Sequence, residues 1–232
     1  MKTVLKMSLL VSVVLSTLVH AKIDTIHVDK NTKYSAEMVP EKMSVHEKKQ
    51  RFRDLFVPAI NEVYSELDKL YKETKVLVNK DAKNPKVIKL MKSYGAKNPQ
   101  DLLRRIKPHP KSIALSQAAM ESSWATSRFF RVGKNAFGVR SLDINEPKVA
   151  AGEKKGNKTI WVKKYSSVND SIRDYYKLLA TSRAFEDFRT LKMKTSNPHE
   201  LVKKLDKYSE IGAEYAKELT AIINYNRFNE FD

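Results

Sequence analysis

The 232-residue sequence contains no cysteine, only two tryptophans and only six glycines. Without cysteine the chain has no disulfide framework, no thiolate metal site, no catalytic thiol and no thiol-linked lipid anchor. No glycine-rich loop of the kind that cradles phosphates is present. Acidic residues are in the minority, because 44 lysines and arginines stand against 27 aspartates and glutamates, giving a formal net charge of +17. This charge predicts a polyanionic partner, which is a cell-wall polymer, an anionic lipid or a nucleic acid.

Residues 1–21 have the layout of a secretory signal peptide. Lys2 and Lys6 precede an apolar stretch at residues 7–19, and Ala21 supplies the small residue expected at a cleavage site. The stretch is shorter than the roughly 20 residues of a membrane-spanning helix, although an uncleaved anchor is the alternative. We therefore expect a protein exported to the periplasm or cell envelope. It would touch the membrane only through the cleaved peptide, and a nucleic-acid partner is disfavoured.

The mature chain is predicted to have three parts. Residues 22–43 show no clear period and are predicted to form an extended or mobile leader. Residues 44–95 begin with a capping box at Ser44 and continue with apolar residues three and four apart, which indicates an amphipathic helical region. Its apolar face is expected to be core rather than a partner-binding groove, and Pro58 predicts a kink or a restart. Residues 96–232 form the remaining domain.

The rest of the chain is predicted to be mostly helical, with one small β excursion. Asn-Pro pairs suit an N-cap followed by the first helical residue, and they predict helices at about 85–94, 99–106 and 198–207. A further helix is expected over 110–123. Alternating side chains over 159–165 predict a short strand. The expected fold class is therefore α+β and predominantly α.

The residues available for chemistry are few. The five histidines share no ligand spacing on a helix face, so neither a metal nor another cofactor is predicted. Glu121 ends a helix rich in alanine and serine, and Trp124, Phe129 and Phe130 follow it closely. Aromatic surroundings and a helix C-terminus both raise the pKa of a carboxyl group. Glu121 is therefore a candidate general acid for cleaving a glycosidic bond, and an ordinary surface glutamate is the alternative.

Four segments match motifs that occur together in one enzyme family. Residues 121–129 read ESSWATSRF, residues 133–138 read GKNAFG, and residues 208–216 read YSEIGAEYA. They resemble, in turn, the E-S-[GA]-W-G-T-S-[RK]-[FL] motif, the G-N-N-L-F-G turn and the paired-tyrosine motif of the glucosaminidase family (glycoside hydrolase family 73, with a mannosyl-glycoprotein endo-beta-N-acetylglucosaminidase-like domain). Residues 166–175 are similar to the serine-capped helix after that family's β excursion. The resemblance covers about residues 45–232 and is greatest to the Bax-like branch.

The chain departs from the family pattern at four positions. Ser123 and Ala125 replace small or glycine positions, Lys134 replaces an asparagine, and Ala136 replaces a leucine. Ala125 matters most, because a Cβ atom restricts the turn that follows the helix of Glu121. The substitutions at Ser123 and Ala125 motivate one alternative, a wall-binding module that has lost turnover.

The resemblance implies a lysozyme-like fold in which a helical lobe and a small β-hairpin lobe flank a glycan groove. It also implies an endo-beta-N-acetylglucosaminidase that hydrolyses the β-1,4 bond after N-acetylglucosamine in peptidoglycan glycan strands. We expect the protein to be a monomer. Glu121 aligns with the family's general acid and is expected at the bottom of an open groove. Tyr208 aligns with a tyrosine that would position the substrate's N-acetyl group. The expected substrate-binding residues beside them are Trp124, Asn135, Phe137 and Tyr215.

The sequence does not identify which second carboxylate would act together with Glu121. Asp143, Glu146 and Glu153 lie in the β excursion, and the offset of Glu153 from Glu121 suits the family's β-lobe glutamate. The alternative is that Glu153 is a solvated loop residue. If no second carboxylate lies near Glu121, two mechanisms are left. The substrate's own N-acetyl oxygen attacks the sugar carbon, or the enzyme is a lytic transglycosylase.

Two aromatic residues of the β excursion are expected on one face. Trp161 and Tyr165 alternate with Ile160 and Val162 along the predicted strand. They either stack on sugar rings at the groove wall or form the small core that an isolated hairpin needs.

Overall fold

The computed structural model describes residues 35–155 and 158–232. At residues 152–155 and 158 it describes the backbone alone. Across this described part of the chain, no helix combines the length and the apolar character needed to cross a membrane.

Two N-terminal predictions fall largely outside the described residues. The predicted signal peptide at 1–21 lies outside them completely, and so does most of the leader predicted at 22–43. The described end of that leader, residues 35–43, contains no helix or strand. Ala36 within it is buried against the main core, so this part of the segment packs on the folded domain.

A single long helix, α1 (Val45–Lys80), follows the leader. Ser44 caps it as predicted, because its hydroxyl accepts a hydrogen bond from the Glu47 amide while the Glu47 carboxylate accepts one from the Ser44 amide. The helix continues through Pro58, so the predicted restart does not occur. Proline removes only one amide donor, and buried neighbours such as Phe56 hold this stretch on the core.

Asn-Pro pairs begin three of the later helices. The pairs at Asn84 and Asn98 begin helices with the predicted bounds of 85–94 and 99–106. The pair at Asn197 begins a helix that is shorter than predicted and continues as one turn of 3-10 helix. The elements after α1 are α2 (Pro85–Tyr94), α3 (Pro99–Ile106), α4 (Lys111–Glu121), α5 (Arg128–Gly133), β1 (Lys148–Lys155), β2 (Lys158–Lys163), α6 (Val168–Thr181), α7 (Glu186–Leu191), α8 (Pro198–Leu201) and α9 (Ala213–Tyr225), with 3-10 turns at Arg183–Phe185, Val202–Lys204 and Phe228–Phe231.

The described β structure is an antiparallel hairpin of β1 and β2. Val149 pairs with Val162, and the register shifts between Ala150 and Lys154. The second strand covers most of the segment predicted at 159–165. The fold is therefore α+β and predominantly helical, as the sequence predicted.

Helix α4 lies in the centre of the core, where all residues from Ser112 to Ala119 are buried. Its small side chains, such as Ala114 and Ala118, leave room for α1 and α9 to pack against it. The Asp232 carboxylate accepts hydrogen bonds from the amide and the hydroxyl of Ser112 at 2.7 and 2.6 Å. A carboxylate at this end satisfies free amides and suits the positive end of the helix dipole.

Buried cationic side chains satisfy carbonyl groups at several helix C-termini. The Arg105 Nη1 atom donates to the carbonyls of Tyr94, at the end of α2, and Ala180, near the end of α6, at 3.2 Å each. Its Nε atom donates to Asp101 at 2.9 Å. The Lys192 Nζ atom donates to the Arg105 carbonyl at 3.4 Å. These contacts join helix ends whose last carbonyls would otherwise be buried without a donor.

We expect Arg105→Met to lower the free energy of unfolding by about 3–5 kcal/mol, because it leaves Asp101 and two helix-end carbonyls without their shared donor in a buried site. The matched control is Arg104→Met, which removes only a 3.5 Å ion pair of a more exposed arginine with the same carboxylate. Its effect is expected to stay within about 1 kcal/mol. Urea unfolding measures both, and equal losses would contradict the role given to Arg105.

Candidate active site

Glu121, the predicted general acid, is the last residue of α4. Its Oε1 atom accepts a 2.8 Å hydrogen bond from the Tyr215 hydroxyl on α9. Its Oε2 atom is buried and has no hydrogen-bond partner within the described ranges. The residue as a whole is partly exposed, so the burial concerns its carboxyl group rather than its entire side chain.

A chain of hydrogen bonds leads from this carboxyl group into the core. The Tyr215 hydroxyl accepts from Nε2 of Gln117 at 2.9 Å, and Oε1 of Gln117 accepts from the Tyr175 hydroxyl at 2.6 Å. Gln117 lies four residues before Glu121 on α4, so the two side chains share a helix face. Because Gln117 donates to the Tyr215 oxygen, the proton of Tyr215 is directed at Glu121.

The pKa of Glu121 is raised to about 8. Burial is the largest cause, the hydrogen bond from Tyr215 opposes it, and the negative charge of Glu218 raises the pKa further. The carboxyl group is therefore protonated at neutral pH. Since Oε1 accepts the proton of Tyr215, the acidic proton resides on Oε2. A protonated carboxyl at neutral pH is what a general acid requires.

The open groove expected above Glu121 is closed at this point in the structure. Oε2 has no contact with solvent, so a sugar oxygen does not reach it in this arrangement. Proton transfer to a substrate therefore requires neighbouring groups to move aside. The same closure removes water from the carboxyl group and thereby raises its pKa.

The chain leaves α4 through a left-handed turn. Ser123, Trp124 and Ala125 have φ values of 51°, 62° and 63°. The Ser122 hydroxyl braces the turn, because it donates to the Ala118 carbonyl at 2.5 Å and accepts from the Ala125 amide at 2.8 Å. Left-handed backbone costs about 1–2 kcal/mol for a residue with a Cβ atom. Ala125, which replaces a glycine of the family motif, thus occupies a conformation that favours glycine.

Trp124, one of the predicted substrate-binding residues, is anchored in the core on one side and partly exposed on the other. Its ring packs edge-on against Phe52 with centroids 5.2 Å apart, and lies 6.2 Å from the ring of Phe228. The Lys49 ammonium group lies 4.9 Å from the indole centroid. The described contacts therefore fix the ring and leave part of it accessible.

Tyr208 and Phe137 are fully buried, so neither presents its side chain to a substrate. The Tyr208 hydroxyl donates to the Phe137 carbonyl at 3.1 Å, and its ring stacks on Tyr215 with centroids 5.6 Å apart. Phe137 stacks on Tyr175 at 4.0 Å. The positioning role predicted for Tyr208 and the groove role predicted for Phe137 are corrected accordingly. Both residues pack against the tyrosines of the hydrogen-bond chain.

Asn135, also predicted to bind substrate, is buried and used within the fold. Its Nδ2 atom donates to the carbonyls of Val139 and Lys163 at 2.9 Å each, and its Oδ1 atom accepts from the Val139 amide at 3.0 Å. The amide group thereby closes the 135–139 turn and ties it to β2. No polar atom of its side chain is left over for a ligand.

The two aromatic residues of the hairpin region are both at least partly exposed, and they have different contacts. Trp161 is 40% exposed, with the Lys148 ammonium group 5.6 Å from its centroid, and is available for stacking. The Tyr165 hydroxyl instead donates to the Asp174 carboxylate at 2.7 Å, which anchors the end of the hairpin on α6. Glu153 lies in β1, but its side chain lies outside the described residues.

Other acids lie near the hairpin and on α9. Glu146 pairs with Lys163 at 3.5 Å and accepts from the Leu142 amide at 3.2 Å, so it is used within the hairpin base. Glu218 is exposed and lies three residues after Tyr215 on α9, and its charge acts on Glu121. In the described parts of the chain, no three histidine, aspartate or glutamate side chains are grouped as metal ligands.

Gln117 is a site residue that the sequence analysis missed, and Tyr175 had been given no role. Gln117 interrupts a run of small and apolar residues one helical turn before Glu121. A buried amide in that place must find partners, and this was the available signal. Tyr175 carried no comparable signal, because its contact with Gln117 joins two helices 58 residues apart.

We expect Glu121→Gln to gain stability relative to the wild type as the pH rises. The folded protein holds the Glu121 proton up to a pKa of about 8, against an ordinary value of 4.5. The stability from this proton is fully present below the ordinary value and is lost as the pH rises through 8, whereas glutamine does not titrate. Thermal unfolding at about pH 5 and about pH 9 measures the difference. A pH-independent difference would contradict the buried, protonated carboxyl.

Comparison with known proteins gives one family and several similar chains. Residues 96–228 match the model of the family described as Mannosyl-glycoprotein endo-beta-N-acetylglucosaminidase. The chain is also similar to Protein bax of Escherichia coli (strain K12), with 30% identity over 135 residues that cover 54% of this chain and 46% of that protein. The chain therefore spans about half the length of this curated relative.

Similar solved structures have low sequence identity. The catalytic domain of the autolysin Auto from Listeria monocytogenes is 18% identical, with 83% of this chain and 92% of that chain covered and a TM-score of 0.48. A peptidoglycan hydrolase mutant from Sphingomonas sp. A1 is 17% identical, with 78% of this chain and 97% of that chain covered and a TM-score of 0.48.

The family match includes Glu121, Tyr175 and Tyr215 and extends over more than half of the chain. The chain therefore belongs to the Mannosyl-glycoprotein endo-beta-N-acetylglucosaminidase (Glucosaminidase) family, as its motifs predicted.

Proposed function

We propose that this protein is an exported peptidoglycan hydrolase that cuts the β-1,4 bond after N-acetylglucosamine, with Glu121 as the general acid. The observation that carries the proposal is the buried carboxyl of Glu121, which stands at the glutamate of the family motif and has a pKa of about 8. Family membership supports the glycosidase class. The net charge of +17 suits an anionic wall polymer, and the signal-peptide pattern of residues 1–21 supports export.

The acid step follows from the position of the proton. The Oε2 proton of Glu121 moves to the glycosidic oxygen as the bond from that oxygen to the sugar C1 breaks, so the departing sugar leaves as a neutral alcohol. The Glu121 carboxylate that remains is stabilised by the hydrogen bond from Tyr215, which strengthens as Oε1 gains charge. Gln117 keeps Tyr215 oriented as a donor throughout.

Substrate access is the second element of the proposal. Oε2 of Glu121 is buried and closed to solvent. The glycan must therefore displace the groups over it, and part of its binding energy is used to open the site. Trp161 on the hairpin and the exposed side of Trp124 are the aromatic surfaces available to stack on the sugars. This assignment of roles replaces the one predicted for Tyr208, Asn135, Phe137 and Tyr215, which are buried.

We keep Glu153 as the candidate second carboxylate, because it lies in β1 of the hairpin and its offset from Glu121 suits the family's β-lobe glutamate. Glu218 is the competing candidate, since it is exposed on α9 and its charge reaches Glu121. An inverting enzyme needs a base at about 6.5–9.5 Å from the acid, and a retaining enzyme needs a nucleophile at about 5 Å. If neither carboxylate acts, the N-acetyl oxygen of the same N-acetylglucosamine attacks its C1 as the glycosidic bond breaks. A muramyl hydroxyl is the nucleophile only in the transglycosylase alternative, where it attacks C1 of its own sugar and the bond after the muramyl sugar is the one that breaks.

Two observations favour an alternative function. The closed Oε2 atom and the left-handed Ala125 are also what a wall-binding module without turnover would show. Such a module would sediment with peptidoglycan and release no soluble fragments. A lytic transglycosylase would differ in its product, which carries an anhydro-muramyl end.

The proposal is tested by digesting purified peptidoglycan with the wild type and with Glu121→Gln. We expect new reducing ends at N-acetylglucosamine in the mass spectra and a loss of turnover of about a thousandfold or more in the variant, because its amide has no acidic proton to transfer. The matched control is Glu214→Gln, which removes an exposed carboxylate on α9 that pairs with Lys217. It is expected to keep full activity.

Three outcomes would overturn parts of this proposal. Unchanged activity of Glu121→Gln would remove the general acid. Anhydro-muramyl products would show that the reaction is a lytic transglycosylation and not a hydrolysis. Sedimentation of the wild type with peptidoglycan, without any product between about pH 5 and pH 9, would favour the binding module, since that range spans both charge states of Glu121.

The second carboxylate is tested by comparing Glu153→Gln with Glu218→Gln. If Glu153 acts, its variant is expected to lose about a hundredfold or more in kcat with the alkaline limb of the pH profile unchanged. Glu218→Gln is expected to keep most of kcat and to move the alkaline limb to lower pH, because removing its charge lowers the pKa of Glu121. That shift is expected to shrink at high salt. Full activity of Glu153→Gln with a large kcat loss in Glu218→Gln would reverse the two roles.

A further inference from the structure

The turn that follows Glu121 is held by an arginine from outside the family match. Arg51, on the first half of α1, is completely buried. Its Nη1 atom donates to the Ala125 carbonyl at 2.7 Å. Its Nη2 atom donates to the carbonyls of Ser35 and Ala36 at 2.7 and 3.4 Å. One guanidinium group therefore joins the end of the leader to the last left-handed residue of the turn.

The turn needs such a support because its backbone is unfavourable. Ser123, Trp124 and Ala125 are all left-handed and none is glycine, which costs a few kcal/mol in total at about 1–2 kcal/mol each. Without outside contacts the segment would relax toward ordinary backbone angles. Ser122 supplies a local brace, whereas Arg51 supplies a contact from a residue 74 positions away.

A second set of contacts from α1 holds the same turn. The ring of Phe52 packs edge-on against Trp124 at 5.2 Å, and the Lys49 ammonium group lies 4.9 Å from the same indole. Phe52 is adjacent to Arg51 in sequence and is also fully buried. The N-terminal half of α1 thus contacts both the backbone and the side chain of the turn, although α1 precedes the matched residues 96–228.

We propose that Arg51 is a positioning residue of the active site, which fixes the left-handed turn after Glu121 and through it the direction in which α4 presents the acid. This inference rests on the proposed function, because its activity test uses the proposed hydrolysis of peptidoglycan. The leader end and α1 are then part of the catalytic unit rather than a separate module. Arginine is suited to this role because its planar fork donates to several carbonyls at once, whereas the lysine ammonium group cannot span them in the same geometry.

The test compares Arg51→Lys with a matched control, Arg53→Lys, which changes an arginine on the same helix that donates to the Asn226 carbonyl instead. Arg51→Lys is expected to lower kcat on peptidoglycan about tenfold or more with less than a threefold change in KM. The alkaline limb of its pH profile is expected to move to lower pH, because a loosened turn admits water to the Glu121 carboxyl. Arg53→Lys is expected to leave both unchanged.

A double-mutant cycle separates positioning from a general loss of stability. Ala125→Gly removes the cost of left-handed backbone at the residue that Arg51 holds. The kcat loss from Arg51→Lys is therefore expected to be at least about threefold smaller in the Ala125→Gly background. Equal losses in the two backgrounds, with an unchanged alkaline limb, would show that Arg51 serves stability alone and would overturn the inference.

A readout that does not need turnover keeps this inference separate from the proposed function. The pKa of Glu121 can be followed by carbon NMR of labelled glutamate carboxyl groups in the wild type and in Arg51→Lys. A lower pKa in Arg51→Lys, together with an inactive wild type, would support the positioning role while the hydrolase proposal fails. An unchanged pKa in the folded variant would overturn the positioning role even if the wild type is active.

Discussion

The hydrogen bond from Tyr215 to Glu121 is the interaction on which the rest of the site depends. It brings α9 against the end of α4 and occupies one oxygen of a carboxyl group that has been removed from water. The acidic proton is consequently confined to the other oxygen. Gln117 and Tyr175 extend this arrangement into the core, so the orientation of the acid is set by three buried side chains rather than by solvent.

The packing around α4 positions the C-terminal end of this helix, where Glu121 lies. Small residues allow neighbouring helices to approach closely, and Asp232 satisfies the opposite end at Ser112. The last turn is then followed by backbone that is unfavourable for every residue in it. Strain of this kind persists only where surrounding contacts determine it, and here the contacts come from α1 and from Ser122. The segment that these contacts hold is therefore the one that directly follows the candidate acid.

Local signals in the sequence predicted much of this fold. Three kinds of feature depend only on residues close together in sequence: the capping box at Ser44, the helix starts at Asn-Pro pairs and the strand near 159–165. Their positions could therefore be predicted from the spacing of residues. Glu121 was also identifiable, because its aromatic neighbours and its place at a helix end are local. Tyr208 and Asn135 were assigned wrongly to the substrate surface, since a motif position does not tell which side of the chain a side chain faces.

The sequence by itself determined the starts of α1, α2, α3 and α8, the strand near 159–165, the family and the identity of the candidate acid. Only the tertiary structure decided that Tyr215 bonds Glu121, that Tyr208 packs behind it, that Oε2 is closed, and that Arg51 supports the turn. The physical reason is the range of the interactions. A cap joins residues three positions apart, whereas the Tyr215–Glu121 bond spans 94 positions and exists only when α4 and α9 pack in one particular arrangement.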